Sequence, residues 1–462
     1  MAIVGAGFSG AVTAVQLLRF AEGPLRVVLI NESGRMARGV AYGTRSAEHV
    51  LNVPAGNMSA LADDPEDFLR YCRWVHARWH AGSFVPRRLY GAYLESLLSA
   101  AENSDGTAPI QLERVVARAT RLHPPSASSR ARVEFDDGRS IEADRVVLAF
   151  GHFAPADPLN ATQRDLLGDA YVADPWRHEG EQLAKPDDAV LLVGAGLTAV
   201  DMVVSLGRAG HRGPLVALSR RGLAAQPHRA QDARPTPLDV APLLARMGRS
   251  LRTQVHELRR ELQAAVARGE DWRDWIGALR AHTPRWWHAL DEVDRGRFLR
   301  HVQAHWDTLR HRCAPEAFEV FEQRRRDGAL HLLPGRIVDI QRAGGRFNVL
   351  VRPRGAHVPQ AYPVDRVVNC TGPSTRLDQC NSALVRSLLE TGLLAPDVHG
   401  LGLRVGTALE VIDRSGHAQP WMRYIGPMLK ARDWEGTAIP ELRVHALALA
   451  RGLLAELASP PA

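Results

Sequence analysis

Lysine is almost missing from this 462-residue chain. Lys185 and Lys430 are the only two, although basic side chains number 58 and the formal charge is +7. So strong a bias toward arginine reads as the mark of a GC-rich bacterial genome. The arginines are scattered rather than gathered in a block, so a nucleic-acid surface is not expected. Cysteine is sparse as well. Cys72, Cys313, Cys370 and Cys380 form no C-x-x-C pair and no metal-ligand spacing. That argues against a relay through closely spaced thiols, predicts no metal site, and fits a reducing cytoplasm. Long apolar runs are missing too. Residues 1–18 carry no charge, but no basic segment leads into them and glycines interrupt them at once, so they do not read as a signal peptide. No other stretch is long and apolar enough to span a bilayer.

What is present is ordinary for a globular chain of two or three domains, with 45% apolar and 24% charged residues. Ala2–Val4 read as a buried strand, Gly5-Ala6-Gly7-Phe8-Ser9-Gly10 as a turn, and the following residues as a helix. A second strand, Leu25 to Ile30, ends on Asn31-Glu32. This is a complete dinucleotide fingerprint. Gly5 permits the tight turn, Gly7 lets backbone N–H groups approach a pyrophosphate, and Gly10 lets the helix pack on the strand. Phe8 and Ser9 open the helix whose N-terminus faces the phosphates. Asn31 and Glu32 end the strand where ribose hydroxyls bind.

The pattern returns near residue 190. A strand leads to Gly194-Ala195-Gly196-Leu197-Thr198-Ala199 and a helix, and Leu215 to Leu218 form the next strand. That strand ends on Ser219-Arg220-Arg221, where the first copy has an acid. Two guanidiniums suit a 2′-phosphate, which predicts NADPH over NADH. Gly194, Gly196, Leu197, Thr198, Ser219, Arg220 and Arg221 are therefore the expected second-site residues. Each copy also closes alike, on Asp144-Arg145-Val146-Val147 and on Asp365-Arg366-Val367-Val368. The chain thus reads as an α/β fold of two Rossmann-like dinucleotide-binding domains in a glutathione-reductase-like two-domain arrangement, with a helical insertion. The insertion, 235–328, is expected to hold helices over Val240–Val266 and Arg295–Arg312. Trp272, Trp275, Trp286, Trp287 and Trp306 read as its inner face.

Between the fingerprints lie Arg38-Gly39-Val40-Ala41-Tyr42-Gly43-Thr44, His49 to Ala60, Phe84 to Tyr90, Gly196 to Asp201, His311 to Glu316 and Trp434 to Arg443. In these the chain resembles the FAD–NAD(P)-binding family related to class B flavin monooxygenases, and within it the aspartate N-monooxygenases that form nitrosuccinate. The resemblance implies that residues 1–155 and 373–462 bind FAD and that 180–234 and 329–372 bind NADPH. It implies that Leu51 to Ser59 line the isoalloxazine, with Asn52 as the catalytic polar residue and Val53, Met58 and Ser59 as cofactor contacts. Ala438 would start the last helix, aimed at the flavin. The implied activity is an FAD-dependent, NADPH-using monooxygenase that N-hydroxylates an amine, with an amino acid such as aspartate as candidate. Two rivals stay open: an NADPH-dependent flavin oxidoreductase serving another acceptor, and a non-catalytic nucleotide sensor. The expected partners are a small amine and molecular oxygen, without nucleic acid or membrane. Oligomeric state is left open.

Overall fold

The computed structural model describes residues 1–103, 109–178, 180–230 and 235–458. The chain divides into two compact units. One comprises Met1–Arg45, Pro54–Phe153 and Thr375–Ala462, and the other Ser46–Val53 and Ala154–Ser374.

In the first unit Ala2–Val4 lies at the centre of a six-stranded sheet, parallel to Leu25–Asn31 on one side and Val146–Leu148 on the other. Ile110–Val116 extends one edge, and Ala418–Tyr424 with Glu410–Ile412 the other. All pairs are parallel except the last. Central strands with both faces covered need unbroken apolar runs, and Ala2–Val4 and Val146–Leu148 are buried throughout. The helix Phe8–Phe20 packs between the helices Arg87–Glu102 and Ile439–Ala458. A separate antiparallel meander, Ala119–His123, Ala131–Phe135 and Ser140–Ala143, turns at Asp136-Asp137-Gly138.

The second unit repeats the plan in one seven-stranded sheet. Val190–Val193 pairs in parallel with Leu215–Ser219 and with Arg366–Asn369. Leu330–Ala343 is shared between two layers. Its first residues run parallel to Leu215–Ser219, and beyond Pro334 it turns antiparallel to Arg346–Pro353. At the changeover a Cβ on Gly335 would lie 2.8 Å from the Arg352 carbonyl oxygen, so only glycine fits the crossing. In the first unit the matching stretch is broken into Ile110–Val116 and Ala119–His123.

The insertion is helical, with shorter helices than its sequence suggests. Val240–Val266 is two helices, Ala241–Arg246 and Leu251–Ala267, parted at Gly248, whose φ is +64°. Arg295–Arg312 spans the break between Glu292–His301 and Gln303–Arg310. Trp275, Trp287 and Trp306 are buried, and Trp286 meets Phe298 and Trp306 at 5.4 and 5.8 Å between ring centres. These rings are core. The insertion is tied off where it leaves the sheet: Cys313 N–H donates to the Gln226 carbonyl and His228 N–H to the Cys313 carbonyl, both at 2.9 Å. No helix among the described residues is long and apolar enough to cross a membrane.

Candidate functional site

The glycines of the first turn answer to different constraints. Gly5 has φ +105°, and a Cβ there would sit 2.6 Å from the Ala149 carbonyl oxygen. On Gly10 a Cβ would lie 1.9 Å from the Gly5 oxygen. Both are dictated by the fold. Gly7 is not: its φ is −74°, and a Cβ would meet only the Gly39 Cα at 3.7 Å. No side chain caps the helix that Gly7 opens. Unclaimed first-turn N–H groups above open space are what a pyrophosphate requires. Phe8 and Ser9 are buried at this terminus.

Asn31 braces the turn, its Oδ1 accepting from Ala6 N–H at 3.3 Å while its Nδ2 donates to the Ser33 carbonyl at 2.7 Å. Glu32 is exposed and pairs with Arg118 at 3.0 Å. Sequence reading missed Ala37, which holds φ +73° and donates its N–H to the Ala6 carbonyl at 2.6 Å. Alanine in the left-handed region leaves no sequence signal, yet it pins the next loop against the glycine turn.

The Leu51–Ser59 segment is divided. Asn52 and Val53 belong to the second unit, and Met58 and Ser59 to the first. The Asn52 carbonyl accepts from His228 Nε2 at 2.9 Å. A carbonyl can only accept, so Nε2 carries the hydrogen. Burial first, then the Arg312 guanidinium, hold His228 down to about 3, so its ring is neutral. Met58 and Ser59 are fully buried, and the Ser59 hydroxyl donates to the Asp64 carbonyl at 2.6 Å. That hydroxyl serves the loop. The Ser59 carbonyl accepts from Arg443 at 3.1 Å, bringing the segment to the last helix. This helix starts at Ile439, just after Ala438, with Pro440 in its first turn.

At the second turn Gly194 has φ +121°, and a Cβ would lie 2.2 Å from the Cys370 carbonyl oxygen. Around Gly196 nothing lies within 4 Å of such a Cβ, and again no side chain caps the helix that Leu197 and Thr198 begin. Ala199 is wholly buried in the third position. The Ser219 hydroxyl is buried without a hydrogen-bond partner, a polar group suited to a ligand.

The two guanidiniums at this strand end prove unequal. Arg220 is exposed. Arg221 donates to the carbonyls of Arg300 at 2.5 Å and His301 at 3.0 Å, and meets His305 Nε2 at 3.0 Å. It is therefore tied to the end of the helix Glu292–His301, while Arg220 stands exposed at the strand end. Burial, then Arg221, Arg354 and Arg259, lower the His305 pKa.

All four cysteines are free thiols. Burial pushes Cys72 and Cys313 up to about 12, far from a reactive thiolate. Among the described residues no cluster could hold a metal ion.

Residues 2–153 match the family described as FAD-NAD(P)-binding. No curated protein matches the chain. Solved structures do, over nearly their whole length. L-lysine 6-monooxygenase from Pseudomonas syringae is 16% identical, with a TM-score of 0.65 and 99% of each chain covered. The ornithine N-hydroxylase of Kutzneria sp. 744, solved with reduced FAD, NADP+ and L-ornithine, is 13% identical, with a TM-score of 0.63 and the same coverage. The thioredoxin reductase of T. acidophilum is 11% identical, with a TM-score of 0.52 over 99% of this chain and 98% of that one. At these identities the likeness establishes the fold: two dinucleotide-binding units of the Rossmann kind, shared with N-hydroxylases and disulfide reductases alike.

Proposed function

We propose that the protein is an NADPH-dependent, FAD-containing monooxygenase that N-hydroxylates a small amine, with an amino acid such as aspartate as substrate. One observation carries this reading: the chain holds two uncapped glycine turns of opposite charge character, the first ending on Glu32 and the second on Arg220. An acid suits the ribose of a resident FAD, and a guanidinium suits the 2′-phosphate of an exchanging NADPH. The solved lysine, ornithine and cadaverine hydroxylases of this fold support the reaction class. The four separate, mostly buried thiols speak against disulfide chemistry and are in keeping with a cytoplasmic protein.

The residues present fit both groups. The Gly7 and Gly196 turns would each seat a pyrophosphate, and Ser219 with Arg220 would hold the NADPH adenosine phosphate. FAD, when bound, would supply the redox chemistry, namely hydride acceptance from NADPH and activation of dioxygen. The chain supplies position. Ala37 locks the loop beside the first turn, Arg443 fixes the Ser59 loop to the last helix, and neutral His228 fixes the backbone that carries Asn52. Asn52 is the polar residue proposed to face the flavin. Val53, Met58, Ser59 and Ala438 are proposed to border it.

The test is anaerobic reduction by NADPH, followed by oxygen and a panel of amines with product mass spectrometry. The expected result is bleaching of the flavin and oxygen-dependent hydroxylamine formed in step with NADPH consumed. Peroxide alone, whatever amine is supplied, would refute the reading.

A further inference from the structure

Arginine is the default cation of this chain, so its two lysines stand out. Lys185 is exposed, in the turn that leads to Val190–Val193. Lys430 is partly buried, in the stretch 425–438 that joins the strand Ala418–Tyr424 to the last helix.

That stretch is fixed at the carboxyl edge of the first unit's parallel strands. Ala418–Tyr424 runs parallel to Val146–Leu148, which runs parallel to Ala2–Val4. Just past their ends the Tyr424 hydroxyl donates to the Phe150 carbonyl at 3.0 Å and accepts from Met428 N–H at 3.1 Å. Gly426, between them, has φ +149°, and a Cβ there would lie 2.6 Å from that hydroxyl. Phe150 follows Ala149, whose carbonyl leaves no room for a side chain on Gly5. The Lys430 stretch and the first glycine turn therefore share one edge, the edge at which open α/β sheets bind their ligands.

The acids beside Lys430 do not serve it. Asp433 pairs with Arg432 at 2.6 Å and meets His445 at 3.4 Å, and Arg432 also holds the Gly406 carbonyl at 2.8 Å. Glu435 is buried and does not pair with Lys430. Among the described residues the Lys430 ammonium makes no ion pair and no hydrogen bond, and it rests 4.3 Å from the centre of the buried Trp434 ring. A cation held against an indole, with no anion of its own, has its charge free for a ligand.

We propose that Lys430 contacts the FAD and that its ammonium stabilises the negative charge of the reduced isoalloxazine. The inference rests on the FAD reading above and deepens it. Hydride from NADPH brings the ring two electrons and one proton, NADPH leaves as NADP+, and the ring becomes an anion unless a further proton follows. Positive charge placed beforehand favours that anion. The FAD phosphates are already provided for by the uncapped helix at Gly7. Lys430 lies instead on the stretch that ends at Ala438, where the last helix adds the positive end of its dipole. Lysine suits this place because its charge is compact, whereas a guanidinium would lay its plane on the indole.

Sulfite is the probe. It adds to the oxidised flavin and leaves the ring negatively charged, so its affinity reads the charge around the ring without NADPH, oxygen or amine. Titrated by flavin absorbance on the FAD-loaded protein, Lys430→Met should bind sulfite about 10- to 150-fold more weakly than wild type, the range for one charge-assisted hydrogen bond. Lys430→Arg should keep part of the affinity. The two-electron midpoint potential of the flavin should fall by about 30–65 mV in Lys430→Met, the same fold-change at about 30 mV per tenfold. Oxidised FAD should bind wild type and variant alike, because the oxidised ring is neutral. Should Lys430→Met fail to fold, Lys430→Gln and Lys430→Arg carry the same titrations. Wild-type sulfite affinity and potential in the variant overturn the proposal. So does a loss of FAD affinity with sulfite binding intact, which would assign Lys430 to the phosphates, or a loss confined to L-aspartate and succinate, which would assign it to a substrate carboxylate. A chain that takes up no FAD overturns the cofactor reading and this inference together. Sulfite binding that depends on Lys430, without hydroxylation of any amine, leaves Lys430 in its role and refutes the N-hydroxylase alone.

Discussion

Arg220 and Arg221 are neighbours with the same side chain, and their removal should have different consequences. Arg221 makes two hydrogen bonds to carbonyls at the end of the helix Glu292–His301 and a third contact with His305. The bonds are charge-assisted but half in water, so together they contribute about 1–2 kcal/mol. For a unit of this size Arg221→Ala should lower Tm by about 2–8 °C. Arg220 is exposed, and Arg220→Ala should change stability by no more than about 0.5 kcal/mol. On cofactor choice the order reverses. Losing one arginine–phosphate bond costs about 1.5–3 kcal/mol, so Arg220→Ala should reduce the preference for NADPH over NADH by about 10- to 150-fold. Titrating the rate of flavin reduction with each nucleotide measures the preference, and a thermal scan measures the tether. If Arg221→Ala abolished selectivity as fully as Arg220→Ala and left Tm unchanged, the division of labour would be wrong.

The two leading glycines should separate folding from binding. Gly5→Ala places a Cβ 2.6 Å from backbone in a left-handed conformation, so soluble protein should fall sharply, whereas Gly7→Ala should melt like wild type in the apo form yet lose FAD affinity. Absorbance at the flavin band after dialysis reads the second effect. His228 predicts a pH dependence of stability. Its folded value, about 3, lies below the ordinary 6.5, so between the two the unfolded chain binds the extra proton. The stability is fully present above pH 6.5 and is lost as pH falls toward 3, by about 1.4 kcal/mol per pH unit. Urea titrations at pH 6 and 4.5 should show a shallower slope for His228→Gln; equal slopes would remove His228 as the titrating group.

The local signals in this sequence translated well. Each glycine turn sits where its spacing put it, and each Asp-Arg-Val-Val stretch leads into a strand beside the strand of its own turn. These features depend on neighbours a few residues away. What the sequence does not display is decided by a distant partner or by a conformation with no residue signature. Gly248 breaks a helix that the apolar period carries through. Nothing near Ser46–Val53 says that this segment joins the second unit rather than the one on either side of it. Arg221 looks free until carbonyls 79 and 80 residues away claim it.

The pinched neck has a consequence for how such a protein changes. Because Gln226–His228 and Cys313 fasten to each other, the described helices of the insertion leave and return at one neck, with Arg221 as a second tie to Arg300 and His301. Register in the parent sheet is set outside that neck, by Leu215 facing Leu330. The helices inside can therefore be lengthened or shortened without sliding a nucleotide-binding strand, as long as Arg300 and His301 still meet Arg221. Arg229 and Arg312, next to His228 and Cys313, travel with the frame or with the cassette depending on where the cut falls. A lineage could exchange these helices by one recombination at this point, and a protein engineer has the same two cut sites.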